Sequence, residues 1–235
     1  MHWCLGTYAS ASTWIYNVTL KVAAALYPGR SVVGRFVTSF NELDLLVDAA
    51  HIFIAKTHDL DPMAEAALAQ YADAILVSIR DPRDCLASLL TYQKLSFDDA
   101  LGKVVRSATI SGRFADHPNA VLLRYEDQFS DDPRTIDRIA RTFGHQLAAE
   151  DCNRIFAETR RSVVESFIAE LDSLPTVFHH TDPLETLDLT TQWHRHHRGR
   201  TGEVGRWRRE LTQSQSDEVE QNLRPFMECF GYPGE

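Results

Sequence analysis

Lys56, Thr57 and His58 stand together at the end of a short apolar run. A neutral histidine can take the proton of a hydroxyl, and a lysine two residues before it can hold negative charge that develops on a group in transfer. A lone histidine is more often structural than catalytic, so the chemistry depends on what lies beside it. One neighbouring loop reads Gly6-Thr7-Tyr8-Ala9-Ser10-Ala11-Ser12-Thr13-Trp14 and opens a helix. Its small residues let the backbone curl around an anion, and the helix start supplies N–H groups and a positive dipole. In the nucleoside-triphosphate pattern G-x-x-x-x-G-K-[ST], the second Gly and the Lys would be Ala11 and Ser12. The same residues also suit a plain Ser/Thr helix cap over a buried tryptophan.

A second loop runs from Arg80 through Asp81-Pro82 to Ser88. Arg80 at a strand end and Ser88 two helical turns on would bracket one phosphate; the alternative is a helix capped by Asp81, with Arg80 paired to a neighbouring acid. The stretch Trp193-His194-Arg195-His196-His197-Arg198 has metal-ligand side chains. No carboxylate or cysteine stands at ligand spacing from them, so no metal is expected, and the stretch is read as facing an anionic ligand or a second substrate.

These loops need elements to hold them. Short apolar stretches alternate with longer amphipathic ones, which predicts an α/β three-layer sandwich with a central parallel sheet. Strands are expected at residues 2–5, 51–55, 74–79 and 120–123. Helices are expected at 12–26, 41–49, 82–94, 97–117, 133–143, 149–157 and about 214–229. In such sheets ligands bind beyond the carboxyl ends of the strands, where these loops emerge. The 235 residues fit a single domain, 1–235, and the irregular segment 172–200, with two prolines and paired His179-His180, reads as a lid over a substrate site.

Composition narrows the class. Asp and Glu number 33 against 24 Lys and Arg, and the net charge of −9 disfavours nucleic acid as a partner while leaving room for a local basic site. No apolar run is long enough for membrane insertion, the first residues lack a signal-peptide pattern, and the four cysteines form no close pair. A cytoplasmic, reducing setting is expected.

Taken in order, these loops resemble the 3′-phosphoadenosine 5′-phosphosulfate (PAPS)-dependent sulfotransferases. The family's 5′-phosphosulfate loop, P-K-S-G-T-T-W, is similar to Tyr8-Ala9-Ser10-Ala11-Ser12-Thr13-Trp14, and its K-T-H is unchanged at Lys56-Thr57-His58. Its 3′-phosphate motif has the same Arg-to-Ser spacing as Arg80 and Ser88. Tyr125-Glu126-Asp127 followed by Asp132-Pro133 resembles its Y-E-D-x-x-x-x-P, with one extra residue before the proline. Arg200-Thr201-Gly202-Glu203-Val204-Gly205-Arg206-Trp207 resembles R-K-G-x-x-G-D-W.

The resemblance implies a sheet related to P-loop nucleotide kinases and sulfuryl transfer from PAPS to a hydroxyl of a small-molecule, sugar or lipid acceptor. PAP, adenosine 3′,5′-bisphosphate, would be the product. It implies His58 as base and Lys56 as charge stabiliser. The Ser10–Thr13 amides and hydroxyls would hold the phosphosulfate, Arg80, Ser88, Arg200, Thr201 and Gly202 the 3′-phosphate, and Trp14 and Tyr125 the adenine. The chain departs from the pattern at Ala9, where the family has lysine, at Thr201 and at Arg206. Two other readings follow from those changes and from the related fold: a weakened PAPS- or PAP-binding protein, and a small kinase, against which the missing loop lysine counts.

Overall fold

The computed structural model describes residues 1–43, 51–199, 202–232 and 234. Five parallel strands form the central sheet: β1 His2–Gly6, β2 Ser31–Phe36, β3 His51–Thr57, β4 Ala74–Ile79 and β5 Ala120–Arg124, in the order β2-β3-β1-β4-β5. The central strands are apolar on both faces because helices cover both. In β1, Trp3 and Leu5 join one core with Phe53 and Ile75, whereas Cys4 joins the opposite core with Ile54 and Leu76. The first core packs under α2 Pro62–Tyr71, α3 Pro82–Ser88, α4 Phe97–Ala115 and α9 Gln213–Phe230. The second packs under α1 Ser12–Leu26, α5 Arg134–Arg141 and α6 Ala149–Glu158. The three-layer α/β expectation therefore describes the molecule, and α7 Arg161–Ala169 and α8 Trp207–Glu210 complete the helices named here.

Four of these elements were not expected from sequence: β2, α2, α7 and α8. Strand β2 carries Gly34 and Arg35 and lies at the sheet edge, half exposed, so it lacks the apolar signature of its neighbours. Gly34 is needed there: a Cβ on it would lie 2.2 Å from the Tyr16 hydroxyl of α1. Helix α2 is announced by Asp61-Pro62, whose carboxylate accepts from Ala64 N–H at 2.7 Å, the same cap-and-proline start as Asp81-Pro82 in α3. The expected helix at 82–94 is instead α3 followed by a wide π-type turn over Leu89–Gln93. Most of the expected helix at 41–49 lies outside the described residues.

Register sets the ligand end. Leu5 of β1 pairs with Thr57 of β3, and Gly6 pairs with Ser78 of β4, so the loops after these three adjacent strands leave the sheet at one level. The first of them turns into α1 through Ala9 and Ala11, both left-handed at φ 58° and 64°. Ala11 is the N-cap of α1 and no side chain caps the helix, so its first-turn N–H groups have no side-chain cap. The left-handed conformation costs alanine roughly 1–2 kcal/mol, against a chain-entropy saving of about 0.4–1 kcal/mol relative to glycine. Ala11→Gly, the residue of the resembling motif, should therefore raise unfolding stability by up to about 1.6 kcal/mol in urea titration. A lower midpoint for that variant would show that the loop is unstrained.

Candidate active site at the carboxyl ends of the strands

The loops after β1, β3, β4 and β5 enclose a cavity of about 610 Å³, within the range of small-molecule sites. Of the residues singled out in the sequence, Ala9, Ala11, Ser12, Thr13 and Trp14 line it from the first loop. Lys56 and His58 line it from β3, Arg80 and Ser88 from β4 and α3, and Tyr125 and Gly202 from further along the chain. Ser10 does not. Its hydroxyl turns into the fold, donating to Thr7 O at 2.6 Å and lying 2.7 Å from Ser78 Oγ, so it braces the loop and its side chain is unavailable to a ligand. Arg200 and Thr201 lie outside the described residues.

His58 is buried, and its Nδ1 lies 2.6 Å from Gly6 O. A carbonyl only accepts, so Nδ1 carries the proton and Nε2 keeps its lone pair, facing Ser12 Oγ at 3.4 Å. Tyr8 stacks on the ring at 4.3 Å. Burial, and then the charge of Lys56, depress the His58 pKa to about 3, which keeps the imidazole neutral. Lys56 reaches into the first loop, its Nζ donating to Thr13 Oγ1 at 2.7 Å. Burial lowers its pKa to about 7, so near neutrality the lysine is poised between its two forms in the absence of an anion.

Arg80 joins more loops than any other side chain described here. It donates to Ala9 O at 3.1 Å and Glu203 O at 2.7 Å, lies 3.5 Å from Asp84 and stacks 4.2 Å over the Tyr125 ring. Its Nε is buried and makes no hydrogen bond among the described residues. Asp84 in turn accepts from Gly205 N–H at 2.7 Å and Trp207 N–H at 3.0 Å, which fixes the last loop against α3. Gly202 in that loop has φ 71°, and a Cβ there would come 3.1 Å from the Tyr125 hydroxyl. Glu126 ties the fourth loop to the third, accepting from Asp81 N–H at 2.9 Å. Trp14 lines the cavity while its Nε1 donates to Thr159 O at 3.0 Å.

Several lining residues carried no sequence signal. Lys103 comes from the middle of α4, its Nζ 5.5 Å from the Tyr8 ring centre, and Tyr92 and Gln93 arrive on the π-type turn. Arg206 also lines the cavity, paired with Glu210 at 2.6 Å and 4.9 Å over Tyr92. The segment expected as a lid forms one wall through Glu185, Leu187, Gln192 and the histidine stretch. The fold also corrects the expectation that no carboxylate reaches those histidines: Glu185 lies 3.4 Å from His194 Nδ1 and 3.4 Å from His196 Nδ1.

A sulfotransferase domain family model matches residues 11–231. No curated protein matches in sequence. Among solved structures, the fold is similar to mouse sulfotransferase SULT7A1 complexed with PAP, with TM-score 0.63 and 17% identity over 96% of this chain and 83% of that one. It is also similar to retinol dehydratase in complex with androsterone and inactive cofactor PAP, with TM-score 0.62 and 15% identity over 96% and 80% of the two chains. At these identities the structures speak for the fold, a parallel sheet of the P-loop-kinase type. The family match covers nearly the whole chain, and this chain belongs to the sulfotransferase domain family.

Proposed function

We propose that the cavity binds PAPS and that the protein transfers its sulfuryl group in line to a hydroxyl of a small-molecule, sugar or lipid acceptor. The observation that carries this reading is the meeting of a neutral, correctly tautomeric His58, a buried Lys56 and the uncapped start of α1 in one cavity. The 5′-phosphosulfate lies on the α1 start, with Ser12 and Thr13 as hydroxyl donors and Trp14 against the adenine, opposite Tyr125. The 3′-phosphate falls to Arg80, Ser88 and Gly202, all of which line the cavity. Arg200 and Thr201 are assigned to the same phosphate by motif. That the solved relatives hold PAP is consistent with this donor.

In the reaction, His58 Nε2 takes the acceptor's proton as the acceptor oxygen bonds to sulfur and the bond from sulfur to the bridging phosphate oxygen breaks. PAP leaves with the electron pair of that bond. Ala9 offers no cation to it, so charge on the departing phosphate is held by Lys56 and the α1 amides. The transfer as drawn uses no metal. The second reading, a nucleotide-binding protein with weakened transfer, rests on Ala9.

Binding an anion beside Lys56 raises its pKa from about 7. The complex then holds more protons than the free protein above that value, so adenosine 3′,5′-bisphosphate should bind with proton uptake and less tightly as pH rises from about 7 to 9. Calorimetry in buffers of different ionisation heat reads this, and Lys56→Met should abolish the uptake. Uptake unchanged in that variant would remove Lys56 from the anion site. The same titrations should favour the bisphosphate over adenosine 5′-phosphate by at least about tenfold, as a charge-assisted contact contributes roughly 1.5–3 kcal/mol. Equal affinities would contradict the 3′-phosphate assignment.

His58→Ala should lower turnover by about two to four orders of magnitude and leave bisphosphate affinity nearly intact. Undiminished turnover would exclude His58 as the base.

A further inference from the structure

The wall formed by the segment after α7 carries a second set of chemically competent groups. We propose that Glu185, His194 and His196 bind a divalent transition-metal ion of the zinc type, in a site distinct from the groups assigned to sulfuryl transfer. Ligand atoms of these three residues lie within 4.8 Å of one another, and no other such group of His, Cys, Asp and Glu occurs among the described residues. The two Glu185 oxygens lie 3.4 Å from the Nδ1 atoms of His194 and His196. Zinc bonds nitrogen and carboxylate oxygen at about 2.0–2.2 Å, which puts the ligands of a tetrahedron roughly 3.3–3.6 Å apart, so each Glu185 oxygen already stands at ligand spacing from one histidine and the set closes further on an ion. Two imidazoles and a carboxylate are borderline donors that suit zinc and its neighbours better than magnesium or calcium.

Local structure holds the set together without metal. Glu185 closes the turn Pro183–Glu185, and the histidines flank and enter the turn Arg195–His197. A bridge between Leu187 and His194, and a hydrogen bond from Arg195 N–H to Thr186 O at 2.9 Å, face the two turns to each other. His197 Nδ1 is committed to His194 N–H at 3.0 Å and is left outside the set. His196 is buried, Glu185 and His194 are half-buried, and all three line the cavity, so a three-ligand ion there keeps a coordination position open to it.

Gln93 supplies the outer contact that a metal-bound histidine needs. His196 Nδ1 lies 3.1 Å from Leu184 O, and Gln93 Nε2 lies 3.2 Å from His196 Nε2. Without metal, Nδ1–H donates to Leu184 and Nε2 accepts from Gln93. Gln93 Oε1 is then buried with no hydrogen bond among the described residues. Metal binding at Nδ1 moves that proton to Nε2, and a half-turn of the Gln93 amide brings Oε1 round to accept it. The buried, unmatched oxygen of Gln93 thus has a partner waiting for it in the metal-bound tautomer.

The test uses the full chain freed of metal, with Zn²⁺ titrated in competition with a chromophoric chelator and Co²⁺ followed by its visible bands. One equivalent should bind, and the cobalt bands should come without a thiolate charge-transfer band. Glu185→Gln and His196→Gln should each weaken Zn²⁺ at least tenfold, and Gln93→Leu about ten- to a hundredfold. His179→Gln/His180→Gln and Cys229→Ser should leave affinity unchanged. No stoichiometric Zn²⁺ binding, a thiolate band, or affinity retained in Glu185→Gln/His194→Gln would overturn the site. The cobalt spectrum of the unaltered protein decides the ligand type even where a variant fails to fold, and none of these readouts depends on transfer activity.

Discussion

A buried guanidinium must find acceptors for its donors or lose more by desolvation than it gains, and the two terminal nitrogens of Arg80 find theirs by spanning separate segments of chain. Ala9 O, Glu203 O, Asp84 and the Tyr125 ring all converge on it. The first loop, the α3 start, the fourth loop and the last loop are thereby held in one arrangement. The neighbouring Arg83, fully buried, ties α3 to α8 and α9, pairing with Asp81 at 2.8 Å and Glu220 at 2.7 Å while lying 4.0 Å over Trp207. Motif residues far apart in sequence are held at one cavity by Arg80, three residues before Arg83, which binds the loops that carry them.

The second constraint acts at β1. Its final carbonyl, Gly6 O, accepts from His58 Nδ1–H, so the strand end that launches the anion loop also chooses the histidine's tautomer. Lys56 Nζ closes the circuit by donating to Thr13 Oγ1 in the first turn of α1. Binding geometry and proton position are thus set by the same few hydrogen bonds. The chain that lacks the loop lysine at Ala9 retains two other cations near the histidine, Lys56 and Lys103, and their charges both act on His58.

What was legible in the sequence was whatever depended on local chain order. The bounds of α1, the cap-and-proline start of α3 and the strand-end positions of Lys56 and Arg80 follow from apolar runs and capping residues in sequence. What escaped depended on distance in space. Ser10 sits in the motif, yet packing against Thr7 and Ser78 turns its hydroxyl inward. Lys103 lies inside an ordinary amphipathic helix and gains its place only because α4 packs beside Tyr8. Glu185 is nine residues before His194, a spacing with no helical or strand periodicity, and only the two facing turns join them.

The most direct test of the central claim is transfer itself. PAPS carrying a labelled sulfur is incubated with the protein and a pool of phenols, alcohols, sugars and hydroxylated lipids, and products are read by mass. The account predicts an acceptor heavier by one sulfo group, carrying the label, with an equal amount of PAP released. Phosphoryl transfer from ATP in place of sulfuryl transfer, or tight PAPS binding with no labelled product from any hydroxyl, would contradict it.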